Sequence, residues 1–404
     1  MSIVAHVAVL GAGIMGCATS LFLARRGVRV TLFDAAAAPF TGASRWNEGK
    51  IHLGYLYAAD ASLATARRML AGGLAFKSLT EQLIGSSLDA VVSGHDETYA
   101  VHRASVTSVA ATAHYFDAVS ALVSGHPEAH GYLTPHASGP VHRLSAADLA
   151  HTFDPREIVA GFRVPERSVS TAWVADRFVA AVAAEGHIEP RMATTVIGVA
   201  EGPGAGTRWR VRTSAGDDGP FDAVVNALWQ GRLAVDATAG LAPPVTWSHR
   251  YRLSAFVRTR RDVEVPSTVI CTGPFGDVKS YTRRDFYLSW YLAGLRAESH
   301  AAAPLAPPAL AAPERASVIE EILTRLGSIV PAVRTLANAV DEARLEGGWV
   351  YAAGQGSLAD PTATLHRRDL IGIQNRGSYL SVDTGKYSVA PSLALQVADL
   401  LAPR

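Results

Sequence analysis

Only two cysteines, Cys17 and Cys271, occur among the 404 residues. They lie far apart and form no CxxC, so they offer neither a disulfide framework nor a zinc site, and no metal is expected. A reduced, cytoplasmic protein with two buried thiols is the expectation. An excess of either charge is also missing: charged residues make up 18% of the chain and the net charge is +1. Nucleic-acid binders and electrostatic membrane binders usually carry a basic excess, so neither partner is expected. Lysine is scarce, with Lys50, Lys77, Lys279 and Lys386 the only four among 37 Lys and Arg residues. The apolar run from Val4 to Ala24 is broken by three glycines, has no basic leader and has a better explanation than a membrane or signal segment.

What is present suits a folded enzyme. The hydrophobic fraction of 49% supplies a sizeable core, and the length suits two interleaved domains. Val7 to Leu10 reads as a short buried strand, Ile14 to Arg26 as a helix closed by Gly27, and Val28 to Phe33 as a second strand. Further helices are expected over 60–82, 113–124, 145–151, 172–186, 317–326 and 391–401. A hairpin is expected from Arg208 to Ala227, turning at 215–219. Strands are expected over 251–259, 278–291 and 379–383, and a solvated loop over 301–313.

The strongest signal is Gly11-Ala12-Gly13-Ile14-Met15-Gly16, placed between that first strand and the helix. Gly11 makes the tight turn, Gly13 lets the backbone approach a pyrophosphate, and Gly16 lets helix and strand pack closely. The helix N-terminus presents free N–H groups to phosphate. Asp34 ends the second strand, 23 positions after Gly11, where a carboxylate accepts hydrogen bonds from ribose hydroxyls and disfavours a 2′-phosphate. NAD and FAD share this fingerprint. The βαβ pattern breaks near residue 40, however, where an NAD dehydrogenase would continue it.

Four segments together resemble the FAD-dependent oxidoreductases of the D-amino-acid oxidase superfamily, the group of glycine oxidase and sarcosine oxidase. They are Val7–Asp34; the loop Gly42-Ala43-Ser44-Arg45-Trp46-Asn47-Glu48-Gly49-Lys50-Ile51; the strand Phe221–Ala227; and Asp383-Thr384-Gly385-Lys386-Tyr387-Ser388-Val389-Ala390-Pro391 before a last helix. The resemblance implies an α/β fold. A Rossmann-like FAD-binding domain (1–50, 145–240 and 346–404) would be interleaved with an α+β substrate domain (51–144 and 241–345) carrying a mostly antiparallel sheet. It also implies that Ile14, Met15, Ser44, Asn47, Gly49, Thr384, Gly385, Lys386 and Tyr387 join Gly11, Gly13, Gly16 and Asp34 around the cofactor. FAD would be held non-covalently, since Arg45-Trp46-Asn47 contains no His and no Cys follows Cys271.

The chemistry implied is hydride transfer from the C–N bond of a small polar amine or amino acid to flavin N5. The alternatives are oxidation of a C–O bond in a 2-hydroxy acid or sugar alcohol, and a flavoprotein subunit without catalysis. Lys279 and Lys386 are candidates for the cation beside the flavin, and Lys50 and His52 follow the flavin loop. On strand alternation, Tyr287, Ser289 and Tyr291 share one face and Trp290 takes the other. Amino-acid oxidases of the family often bind substrate carboxylate through a Gly-x-Arg-Pro arginine. The corresponding stretch, Gly354 to Pro361, contains none. Arg45, Arg250, Arg252 and Arg283 are the candidate replacements, and Arg367 and Arg368 read as surface residues.

Overall fold

A computed structural model describes residues 4–202, 208–243 and 245–403. Strand β1 (His6–Leu10), helix α1 (Ile14–Ala24) and strand β2 (Arg29–Phe33) form the opening unit. Every residue of α1 is buried, which explains why the sequence there is apolar all round rather than on one stripe. The helix is covered on more than one side, with the closing helix Ala390–Leu401 and helices Ala64–Ile84 and Thr171–Ala184 packed against it. Burying a Val or Leu side chain contributes about 1.5–3 kcal/mol. Val7, Val9, Leu21, Leu23, Val30 and Leu32 are all fully inaccessible and anchor this core. Among the described residues no helix is long and apolar enough to cross a membrane.

Two main sheets organise the described residues. The first has six strands in the order Gly372–Arg376, Tyr379–Asp383, Ala223–Asn226, β1, β2 and Ile188–Arg191. It is parallel except for the hairpin at its outer edge. The second has nine strands. From Leu295–Ser299 it runs through Ser248–Thr259, Asp285–Trp290, Gly276–Ser280, Thr268–Cys271, Glu97–His102 and Ile158–Val164 to His142–Arg143. Val340–Ala352 pairs along the whole of Ser248–Thr259. Only the Thr268–Cys271 and Glu97–His102 pair is parallel. A mixed α/β fold with a mostly antiparallel second sheet is therefore what the sequence folds into. The stretch 145–240 supplies strands to both sheets, because Ile158–Val164 pairs with Glu97–His102 while Ile188–Arg191 pairs with β2.

Local differences from the sequence reading have physical causes. The hairpin turn is tighter than expected: Thr213 pairs with Gly216, so Gly216 to Phe221 is strand rather than turn. Gly and Asp there signalled a turn, but pairing with Trp209–Thr213 overrides that local preference. The expected strand over 278–291 is two strands, Gly276–Ser280 and Asp285–Trp290, paired antiparallel. Helix Ala312–Ile329 starts inside the expected loop, with Pro313 in its first turn where the missing N–H costs nothing.

The opening turn is the tightest packing point in the nucleotide half. Gly11 has φ +98 and donates its N–H to Phe33 O at 2.7 Å, tying the turn to the end of β2. A Cβ on Gly16 would collide with the Gly11 carbonyl oxygen. Replacing Gly16 with valine is therefore expected to destabilise the protein by about 1–3 kcal/mol, the usual cost of overpacking. Denaturant unfolding measures it, and an unchanged midpoint would show that the turn has slack.

Candidate active site

At the nucleotide end, the side chain of Ser44 closes over the turn. Its Oγ accepts the Ile14 N–H at 3.0 Å, and a Cβ on Gly13 would come within 2.7 Å of it. The remaining N–H groups of the first turn of α1 have no intrahelical acceptor, as at any helix start. Ile14 and Met15 send their side chains into the core, so only their backbone faces the turn. Asp34 accepts the Ala12 N–H at 2.7 Å through one oxygen and the Ala36 N–H at 2.8 Å through the other. Each carboxylate oxygen keeps a further lone pair for a ribose hydroxyl. A small-residue cradle, free helix N–H groups and a half-buried acceptor at the end of β2 fit the diphosphate and ribose of FAD.

The remaining predicted cofactor residues lie on two segments that meet at a cavity of about 190 Å³. Asn47 shapes the first segment, donating to Ala43 O at 2.9 Å and accepting the Gly49 N–H at 2.8 Å. Gly49 has φ +65 and lies so close to Val169 O that no side chain would fit. The second segment continues the central strand Tyr379–Asp383. Thr384 is buried, Gly385 donates to Asp383 Oδ1 at 3.0 Å, and the buried Tyr387 hydroxyl has no partner. Lys386 reaches the cavity, with its Nζ 3.7 Å from Glu48 Oε1. The C-terminal segment and the opening turn thus belong to one layer, since Ala223–Asn226 is the single strand between Tyr379–Asp383 and β1.

His52 also lines the cavity, 3.8 Å from Glu48 Oε1. Burial, reinforced by Lys386, pushes its imidazole down to about 4, so the ring is neutral at pH 7. Burial lowers the Lys386 ammonium, while Lys386 and His52 overcome burial at Glu48 and hold its carboxyl well below the usual range.

Behind one wall lies a buried charge network. Lys279 Nζ donates to Glu97 Oε2 at 2.6 Å, and Lys50 Nζ lies 3.5 Å from the same oxygen and 3.8 Å from Glu166 Oε2. Lys50 donates to the Tyr99 hydroxyl at 3.3 Å, and that hydroxyl donates to Glu166 Oε2 at 2.6 Å. Ser168 Oγ and the Leu53 N–H satisfy the other glutamate oxygens. The short pairing of Lys50–Ile51 with Arg167–Ser168 brings these groups together. Lys50 faces the cavity and Lys279 does not. Burial, with Lys279 adding to it, lowers the Lys50 ammonium to about 8. Burial also opposes charge on Lys279, but Glu97 and Asp277 outweigh it and hold that ammonium above its usual value. Neither lysine is on the surface.

Arginines complete the lining. Arg250 and Arg252 sit two apart on Ser248–Thr259, and both face the cavity. Arg250 donates to the Tyr291 hydroxyl at 3.0 Å and Arg252 to Ser289 Oγ at 2.6 Å. Tyr287 and Tyr291 line the same cavity, while Trp290 packs into the other core against helix Ala312–Ile329, as alternation requires. Arg45 pairs instead with Asp176, and Arg283 with Glu264. Arg368 overturns its reading as a surface residue: it lines the cavity, and burial and Arg250 push its guanidinium down to about 10. Arg367 is exposed and paired with Asp369. Glu97, Glu166 and Arg368 were missed because no local motif marks them. The spacing of Arg250 and Arg252 on a strand was the available signal for the lining arginines.

The sequence pattern of the FAD dependent oxidoreductase family (DAO) matches residues 6–350. No curated protein matches the chain. Among solved structures, glycine oxidase from Geobacillus kaustophilus is similar with TM-score 0.66 and 16% identity, over 98% of this chain and 94% of that one. L-proline dehydrogenase from P. horikoshii gives 0.65 and 15%, over 99% and 94%. L-alpha-glycerophosphate oxidase from Mycoplasma pneumoniae, with FAD bound, gives 0.61 and 13%, over 99% and 95%. At these identities the likeness is one of fold. The family match spans most of the chain, and the turn, the acid after β2 and the cavity that Lys386 reaches agree with it: the chain belongs to the FAD-dependent oxidoreductases of the DAO family.

Proposed function

We propose that this FAD-dependent enzyme oxidises the C–N bond of a small amine that carries a carboxylate. The observation that supports the reading is the cavity itself. It is lined by Glu48, Lys50, His52 and Lys386 together with Arg250, Arg252 and Arg368, so a carboxylate held by the arginines keeps the rest of the substrate beside the flavin segments. FAD, when bound, supplies the two-electron acceptor. Gly11, Gly13, Gly16, Ser44 and Asp34 would hold its diphosphate and ribose. Asn47 and Gly49 would shape the loop beside the ring, and Thr384, Gly385, Lys386 and Tyr387 would lie at its other end.

The substrate must lose an ammonium proton before its C–N bond can be oxidised. Lys50 is the group of the wall with an ammonium lowered to about 8, and its Nζ takes that proton in this reading. Lys279 acts as a positioning residue, holding Glu97, which in turn holds Lys50. Lys386 keeps positive charge beside Glu48, and neutral His52 fills the wall without competing for the anion. Glycine oxidase and L-proline dehydrogenase among the structural relatives are named for amino-acid oxidation, which supports the C–N reading. Release of ammonia or an amine separates it from oxidation of a C–O bond.

Three outcomes are expected. Replacing Asp34 with alanine weakens FAD by about ten-fold or more, because hydrogen bonds to a charged group are worth roughly 1.5–3 kcal/mol. Fluorescence titration of the apoprotein measures this, and unaltered affinity would remove Asp34 from the ribose site. The rate of anaerobic flavin bleaching by an amine substrate rises with pH through about 8, as Lys50 passes from ammonium to free amine. In Lys50→Met that rise disappears, and a variant that keeps the wild-type profile would exclude Lys50 as the acceptor. Lys279→Met leaves Glu97 buried with half its charge partners gone, at a cost of about 3–5 kcal/mol. Denaturant unfolding reads that cost, and the rise near pH 8 moves to higher pH because Lys279 no longer lowers the Lys50 ammonium.

A further inference from the structure

The charged groups around the cavity are not paired alike: the lysines have close carboxylates and the arginines do not. Each lysine has a carboxylate near it: Lys50 and Lys279 share Glu97, Lys50 also meets Glu166, and Lys386 meets Glu48. Asp277, the other carboxylate of the lining, lies 3.8 Å from Lys279. Among the described residues Arg250, Arg252 and Arg368 make no ion pair, and Asp277 and Asp383 act on Arg252 and Arg368 from farther off. The arginines' hydrogen-bond partners are neutral, the Tyr291 hydroxyl and Ser289 Oγ. Each also keeps a buried N–H without an acceptor: Nε of Arg250, Nε of Arg252 and one terminal nitrogen of Arg368. Arg250 is 3% exposed, so water does not satisfy it from outside.

A buried guanidinium without a close counter-ion is costly, and three around one cavity repel each other. One substrate carboxylate offers two oxygens and neutralises one charge. It engages one guanidinium in bidentate fashion, or bridges the neighbouring pair Arg250 and Arg252. The third arginine comes from a different element, the segment after Thr364–His366, and stays without a close anion. We propose that the substrate is an amine bearing two carboxylates. Arg250 and Arg252 hold one, Arg368 holds the other, and the C–N bond lies between them and the flavin segments. This deepens the amine reading above and rests on it.

The test uses the FAD-loaded enzyme and ligands that cannot be oxidised. Succinate and glutarate are titrated against butyrate and pentanoate, following the flavin absorbance and, in parallel, the heat of binding. The diacids are expected to bind about ten-fold tighter or more than the monoacids of matching length, the effect of one added charge-assisted contact. Arg368→Gln is expected to remove that advantage and leave monoacid binding within about two-fold of wild type. Equal affinity of diacids and monoacids in the wild-type enzyme overturns the proposal whether or not the variant folds, as does a loss in Arg368→Gln that falls equally on both series. The amine reading fails separately. Diacids would then bind tightly, yet amino dicarboxylates would leave the flavin oxidised under anaerobic conditions while hydroxy dicarboxylates bleached it.

Discussion

Two lysines and two glutamates buried together set the terms for the catalytic half of this molecule. An ion taken out of water loses several kcal/mol of solvation, and only close partners with good geometry restore it. Lys50 comes from a two-residue strand, Glu97 and Lys279 from two strands of the large sheet, and Glu166 from the turn before Arg167–Ser168. None of these elements can shift without stranding a charge. The short ribbon that follows the flavin loop is thereby fixed to the large sheet, and the width of the cavity between them is fixed too. Tyr99 joins the set by passing a hydrogen bond from Lys50 toward Glu166, and burial and Glu166 raise its phenol well above the usual range, so it remains a neutral link.

The lysines and the arginines around the cavity solve the problem of buried charge in opposite ways. On the lysine side the protein supplies its own anions, and the site is self-contained. On the arginine side it supplies neutral hydroxyls and aromatic faces, with Arg252 over the Tyr291 ring at 4.6 Å, which orient a guanidinium without neutralising it. Arginine suits that second role because its planar fork stays charged when buried and matches a carboxylate in two bonds.

The nucleotide end was legible in the sequence because its constraints are local. The glycine turn and Asp34 act at strand and helix ends that periodicity locates, while Ser44, in the long loop after β2, was legible only through the family resemblance. The C-terminal segment was legible from its residues, and its arrival beside the opening turn follows from a parallel sheet that places Tyr379–Asp383 one strand away from β1. The charge network was not legible. Glu97 and Glu166 lie on stretches with no motif, and only the pairing of Glu97–His102 with Ile158–Val164 makes them neighbours. Arg368 was misread for the same reason: beside an exposed Arg367, its sequence context says surface, and only the tertiary path turns it inward. The family arginine is absent between Gly354 and Pro361, and alternation on Ser248–Thr259 brings two of the candidate replacements, Arg250 and Arg252, to the cavity.

The order of strands in the six-stranded sheet has a consequence for how the chain is made. β1 and β2 leave the ribosome first, yet the neighbour of β1 on its other side is Ala223–Asn226, and the strand beyond that is Tyr379–Asp383. This buried strand therefore waits for more than half of the polypeptide before its second edge is covered. Contacts so distant in sequence close slowly, and an uncovered apolar edge invites association in the meantime. Nascent chains interrupted before residue 223 lack the strand that covers that edge, which leaves it open to pairing with another chain.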